Sequence, residues 1–312
     1  MSISKFESWI WNYLGIIVEA LPFLLIGAII SAVIQIYVSD EFIKKIIPKN
    51  SIIGYFIAAI SGIFFPVCEC AIIPITRSLI KKGLPIGVGV TFMLAVPIVN
   101  PVVIMSTYYA FPNNINVVIY RTIGGVIGAL IIGLLTGVIY DKKKKEEIIK
   151  DDTVGLYCDC CTYSNNYYIS LKGKIKNLIL NASNEFLNIS IYFILGAFIS
   201  SIFVTFMQDN LINNITSGKS TGIIIMMILG FLLSLCSEAD AFVARGFLDN
   251  FGVEGVIAFL ILGPMMDLKN LILSFGFFKK KFVIQLLGII ILIVFLICLI
   301  AVSYTHLKLL VL

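Results

Sequence analysis

The two halves of this 312-residue chain repeat one another, and that duplication constrains the fold more than any other feature. Shifting the second half by 168 residues sets Gly54, Ile57, Ile60, Gly62, Cys68, Ala71, Arg77 and Gly87 on Gly222, Ile225, Ile228, Gly230, Cys236, Ala239, Arg245 and Gly255. With one residue of drift, Gly27–Ser31 falls on Gly196–Ser200, and Pro97 and Asn100 fall on Pro264 and Asp267. Matched glycines say little in a glycine-rich chain, but matched Cys and Arg are informative because both are scarce. A duplicated apolar unit with polar residues at its breaks is the signature of a transporter.

The repeated unit belongs in a membrane. Hydrophobic residues make up 59% of the chain and charged residues 13%, against about 25% charge in soluble domains. The net charge of +5 is no nucleic-acid footprint, because the cations sit in loops between apolar segments. Residues 1–11 lack the pattern of a cleavable signal, so the first apolar segment is expected to serve as an uncleaved anchor.

A spanning helix needs roughly 20 apolar residues. Leu14–Val38, Pro85–Tyr109, Val117–Tyr140, Leu187–Met207, Val253–Phe277 and Phe282–Ile300 meet that length, while Ile52–Val67 and Thr221–Leu235 are shorter. Each shorter one runs into a polar break, Cys68-Glu69-Cys70 or Cys236–Asp240, and then into a stub, Ala71–Ile80 or Ala241–Leu248. If the stubs do not cross, the repeats are parallel; if they do, the repeats are inverted. The Lys and Arg clusters at Lys44–Lys49, Arg77–Lys82, Lys142–Lys145, Lys172–Lys176 and Lys279–Lys281 all become cytoplasmic only when the stubs count as crossings. The expected fold is therefore an all-α polytopic membrane protein of two homologous, inverted repeats, with eight full or near-full spans plus two short re-entrant or broken segments. Residues 1–140 form the first repeat, 141–176 a cytoplasmic linker and 177–301 the second repeat. Val302–Leu307 is what a common sequencing adaptor encodes in one frame, so residues 302–312 are expected to depart from the native chain.

Seven ionisable residues lie in or beside the apolar segments: Glu69, Arg77, Glu238, Asp240, Arg245, Asp267 and Lys269. A charge at mid-span costs roughly 2.5–3.5 kcal/mol on insertion scales, so such residues pair with one another or line a pathway. Pro66, Pro74, Pro97, Pro101 and Pro264 add freed carbonyls, which survive at membrane depth only where they line a cavity. The patch Pro97–Pro101 with Asn100 and the patch Gly263–Asp267 are counterparts. Four breaks, two per half, are expected to converge on one central site. Ordinary proline kinks and structural ion pairing are the plain alternatives.

Cys68 and Cys70 flank Glu69, and thiolates suit soft species such as trivalent arsenic, copper(I) or zinc. Buried Cys serves equally as small apolar filler. Cys158, Cys160 and Cys161 form a second cluster in the linker, a candidate metal or cargo capture site, though not a standard structural zinc site. Ser217-Gly218-Lys219-Ser220-Thr221 imitates the end of a P-loop, but Asn213 stands where the first glycine is needed.

Phe65–Cys70, Pro97–Pro101, Cys236–Phe242 and Gly263–Lys269 together resemble the YraQ-like family of predicted permeases, which includes the ArsP organoarsenical efflux permeases. The likeness covers nearly the whole chain outside the linker and tail. It implies a multi-pass permease of the bacterial cytoplasmic membrane and not an enzyme, with arsenical export known in one branch. Substrate binding is expected among Cys68, Glu69, Cys70, Pro97, Asn100, Cys236, Glu238, Asp240, Asp267 and Lys269. Glu69 or Glu238 would couple protons, and Arg77 and Arg245 would neutralise the acids. No cofactor is expected. The partners are the bilayer, a small or soft-metalloid solute and a separately encoded subunit, with no nucleic acid. A membrane thiol–disulfide enzyme built on Cys68 and Cys70 is the alternative.

Overall fold

The computed structural model describes the backbone of residues 3–39, 52–64, 68–112, 114–141, 147–150, 171–207 and 219–310. The cysteine cluster at 158–161, Pro66, and the lysines at 44–49 and 142–145 lie outside the described residues. Twelve α-helices are described: α1 (Ile3–Tyr37), α2 (Ile52–Ile60, prolonged by a 3-10 turn over Ser61–Ile63), α3 (Glu69–Lys81), α4 (Ile86–Val99), α5 (Pro101–Ala110), α6 (Ile115–Tyr140), α7 (Leu171–Met207), α8 (Lys219–Leu233), α9 (Asp240–Arg245), α10 (Leu248–Met265), α11 (Leu268–Phe277) and α12 (Lys280–Leu310). An isolated antiparallel bridge, Ile149 to Phe278, is the one extended pairing among the described residues.

Five helical stretches are long and apolar enough to cross a membrane: Lys5–Tyr37, Ile115–Tyr140, Leu178–Thr205, Leu248–Phe277 and Lys280–Ile300. The pair α4–α5, bent by 42°, makes a sixth if it counts as one span. The chain is an all-helical, multi-pass membrane protein. Ile52–Ile63 and Thr221–Leu233 are shorter apolar helices at the places where the sequence predicts them. At 1.5 Å per residue each reaches about 18–20 Å, well short of a ~30 Å hydrocarbon core.

Burial separates a centre from a wall. Within its apolar 18-residue window the Leu248–Phe277 stretch is 83% buried, whereas the same window of the four unbroken spans is 28–39% buried. Every residue of α4 is buried. The outward faces carry Val18, Val138, Leu292 and Ile300, apolar side chains that suit lipid. Lipid tails are as apolar as leucine, so close approach rather than water exclusion must hold such helices together. Gly27 on α1 and its repeat counterpart Gly196 on α7 supply that approach. A Cβ at Gly27 would stand 2.6 Å from the Ala71 Cβ on α3, and one at Gly196 would stand 3.0 Å from the Lys269 Cα on α11.

The two wall helices α1 and α7 pack along each other in opposite directions. At one end Trp9 Nε1 donates to Ser201 Oγ (2.9 Å), and Phe198 meets the Trp9 and Tyr13 rings edge-on. At the other end Ser31 Oγ donates to Glu185 Oε1 (3.3 Å). Inside this wall the short elements exchange partners across the halves. Helix α3 packs on α11, and α9 packs on α5.

Candidate functional site

Each central span is interrupted where a proline and a capping side chain meet. Pro97 and Pro101 bring no N–H to the ladder of α4–α5, and Asn100 restarts the helix by accepting from Val102 N–H through Oδ1 (3.0 Å). In the second half Pro264 lies three residues before Asp267, whose Oδ1 accepts from Asn270 N–H (2.6 Å) to start α11. Between them Met266 is extended (φ −161°, ψ 105°). Ser234, just past α8, adopts φ 48°, a left-handed conformation uncommon outside glycine. Its Oγ accepts from Leu268 N–H (3.1 Å), tying the α8–α9 connection to the second break.

A cavity of about 70 Å³ opens between α1, the start of α3, the α8–α9 connection and the start of α11. Cys68, Glu69, Cys70, Cys236 and Lys269 line it, with Glu19 from α1. Glu69 is buried, and its Oε2 accepts from Ser237 Oγ (3.0 Å). Cys236 Sγ donates to Glu238 Oε2 (2.6 Å). Lys269 Nζ lies 3.7 Å from Asp267 Oδ2, both buried. Glu69 is within electrostatic reach of Lys269, Asp267 and Glu238. Carboxylates thus outnumber ammonium groups around this cavity.

A second charged station sits beside it. Arg121, in the second turn of apolar α6, is only 1% exposed and pairs with Asp240 Oδ2 at 2.7 Å. It also donates to Thr107 Oγ1 (2.7 Å) and to the Ser237 carbonyl (3.2 Å). Ser237 therefore bridges both stations, its hydroxyl on Glu69 and its carbonyl on Arg121. An ion pair this deep is tolerable because its geometry is close and Thr107 and Ser237 satisfy further guanidinium protons.

The structure brings together Cys68, Glu69, Cys70, Cys236 and Lys269 on one cavity wall, with Glu238 and Asp267 one contact behind. Pro97, Asn100 and Asp240 are not on that wall. Asn100 acts as a cap, and Asp240 faces Arg121. The sequence-expected arginines go elsewhere. Arg77 donates to the Lys150 carbonyl (3.1 Å) and covers the Phe277 ring at 5.2 Å, while exposed Arg245 donates to the Ala110 carbonyl (2.8 Å). The pairing cation, Arg121, and the wall carboxylate, Glu19, were missed in the sequence. Each is a lone charge inside a long apolar run, which is itself a signal of function or pairing. Among the described residues no three His, Cys, Asp or Glu side chains are grouped to hold a metal ion.

Comparison with known proteins points to membrane permeases. The ArsP_1 family model, described as a predicted permease, matches residues 10–302. The UPF0718 protein YcgR of Bacillus subtilis is 41% identical over 283 residues, covering 90% of this chain and 92% of its own length. A Streptococcus mutans protein named as a two-component membrane permease complex subunit is 38% identical over 288 residues, covering 92% and 93%. A UPF0718 protein of Methanocaldococcus jannaschii is 28% identical over 165 residues, covering 52% of this chain and 43% of its own. No solved structure matches the chain. A multi-pass protein of the cytoplasmic membrane, broken at its centre and alike over some nine-tenths of its length to the Bacillus and Streptococcus relatives, this chain belongs to the ArsP_1 family of predicted permeases.

Proposed function

We propose that the chain is a secondary permease that exports a small thiophilic solute, such as a trivalent arsenical, by rocking two inverted repeats around the central cavity. The observation that carries the reading is the convergence of Cys68, Cys70 and Cys236 with Glu69 and Lys269 on one buried wall. Soft cargo prefers sulfur donors, and the cargo itself would draw the three sulfurs together. Glu69 is the coupling carboxylate. Lys269, Asp267, Glu238, Glu19 and the neighbouring thiols are the charged and titratable groups that face it.

Three features support the inverted arrangement of eight spans and two stubs. The repeat counterparts α1 and α7 run antiparallel. Helices α3 and α9 each pack on the broken span of the other half. Glu69 hydrogen-bonds Ser237, which lies 168 residues away, the same offset that aligns the halves. Equivalent positions of inverted repeats would touch only close to a symmetry axis, and this contact supports reading the cavity as the pivot of alternating access.

The test is transport in proteoliposomes and a sensitivity panel in a host lacking the gene, with trivalent organoarsenicals, soft metals and sulfur anions. Cys68→Ser is expected to remove protection against the cognate cargo, and Glu69→Gln to abolish pH-dependent flux. Unaltered proton coupling in Glu69→Gln removes Glu69 from the mechanism. Turnover of a redox partner, with mixed disulfides trapped on single Cys→Ser variants and no vectorial flux, would replace transport by thiol chemistry.

A second reading takes support from the name of the Streptococcus relative: the chain works as one subunit of a two-component permease. A partner that co-purifies from the native host and is required for flux in proteoliposomes would establish it. Full flux from the chain alone would end it.

A further inference from the structure

Glu69 has two faces, and the transport reading uses only one. Its Oε2 accepts from Ser237, whereas Oε1 is buried and has no hydrogen-bond partner among the described residues. Glu69 also lines a separate small cavity of about 10 Å³ at the seam of α3 and α11. Two further oxygens without a partner belong to its wall, Asn270 Oδ1 and Ser274 Oγ. Both residues are at least 98% buried. They stand four apart on α11 and so share one face of that helix. Pro264, Met265 and Met266 close the wall with the C-terminal end of α10.

A helix C-terminus presents carbonyls without intrahelical donors and carries the negative end of the dipole. Here the effect is enlarged. Leu268 N–H, the donor that would close the helix onto the Pro264 carbonyl, is turned to Ser234 Oγ. The polar side chains of the small cavity are thus a carboxylate, a side-chain carbonyl and a hydroxyl, with no cationic group among them. The surrounding charge has the same sign. Glu19, Glu69, Glu238 and Asp267 stand against Lys269, while Asp240 is already matched by Arg121. Such a set repels anions, rejects soft metals and suits a hard cation. A volume near that of one water admits only one small ion.

We propose that Glu69 Oε1, Asn270 Oδ1, Ser274 Oγ and the freed carbonyls of the second break bind a sodium ion. Broken helices in secondary transporters offer their unwound carbonyls and half-helix C-termini to coupling ions in this manner. The proposal rests on the permease reading for its purpose, since the ion would bind one face of Glu69 while cargo engages the other. Occupancy at Oε1 would then be felt directly at Oε2 and Ser237.

The test uses purified full-length protein in nanodiscs and radiolabelled sodium in a mildly alkaline buffer, read by scintillation proximity. Saturable binding is expected, displaced by sodium and lithium and by acid, and at least about tenfold less well by potassium. Ser274→Ala and Asn270→Leu, eluting on gel filtration like the parent, are each expected to weaken it about tenfold or more. Asn270→Asp, which keeps the oxygen and adds charge, is expected to retain or tighten it. No saturable binding to the folded parent, or binding indifferent to Ser274→Ala and Asn270→Leu, overturns the site. Glu69-dependent proton-coupled flux without sodium binding would sink this inference and leave the permease reading standing. Sodium binding without vectorial flux would do the reverse.

Discussion

The two helix breaks at the centre of the protein are built alike and charged differently. Each follows a proline by three residues, and each restarts through a side chain that accepts a backbone N–H, Asn100 in the first half and Asp267 in the second. The first break is neutral and stays off the cavity wall. The second carries Asp267 and Lys269, donates a hydrogen bond from Leu268 N–H to Ser234 Oγ of the α8–α9 connection, and borders both cavities. The short helices differ in the same way. Helix α3 has 13 residues, nearly all buried, and brings Glu69 to the cavity, whereas α9 has six and hands its Asp240 to Arg121. The two breaks are therefore similar scaffolds put to different uses. One now shapes the packing, and the other concentrates the chemistry.

That contrast can be broken by mutation. The largest effect is expected at Arg121→Leu, which strands Asp240 as a buried, unpaired charge and should cost about 3–5 kcal/mol in reversible unfolding from mixed micelles. Adding Asp240→Leu should recover most of it, because the loss lies in the stranded charge. If the double variant is no better than the single, the pair is not the isolated station described here. Next come the two approach glycines. Gly27→Val and Gly196→Val should each cost about 1–3 kcal/mol by overpacking against α3 and α11, read as a fall in melting temperature in detergent. Equal tolerance of valine on both sides would mean that these contacts do not set the helix spacing. At the breaks, Asn100→Ala should cost about 1 kcal/mol by losing a cap. Asp267→Asn keeps its cap and should change unfolding less, yet it should lower flux because Lys269 loses its counter-charge. An Asp267→Asn variant with parental flux would erase the distinction between the breaks. The smallest effect is expected at Arg245→Ala, within about 0.5 kcal/mol on unfolding, since that exposed side chain reaches only a carbonyl at the edge.

The positions of the breaks were legible in the residues themselves. A proline in an apolar run followed by Asn or Asp specifies an interruption and its cap without reference to the rest of the molecule. The same holds for the places of the apolar helices, although α1, α7 and α12 extend well beyond the expected segments, and for the gathering of Cys68, Glu69, Cys70 and Cys236. The ion pairing was not legible. Arg77 and Arg245 align in the repeat and invited the role of counter-charges; they reach the carbonyls of Lys150 and Ala110, and the buried pair with Asp240 is made by Arg121. Asn270 and Ser274 read as ordinary polar residues of a spanning helix. Only the packing of α11 on α3 turns them toward Glu69.

Local propensity and hydropathy are properties of neighbouring residues, so the chain alone determined that this protein is helical, resides in a bilayer, and is interrupted at Asn100 and Asp267. Which buried charge meets which is a property of contacts between segments more than a hundred residues apart, such as Arg121 with Asp240 and Glu69 with Ser237. Coulomb and hydrogen-bond energies act over a few ångströms. The tertiary structure alone decided those distances.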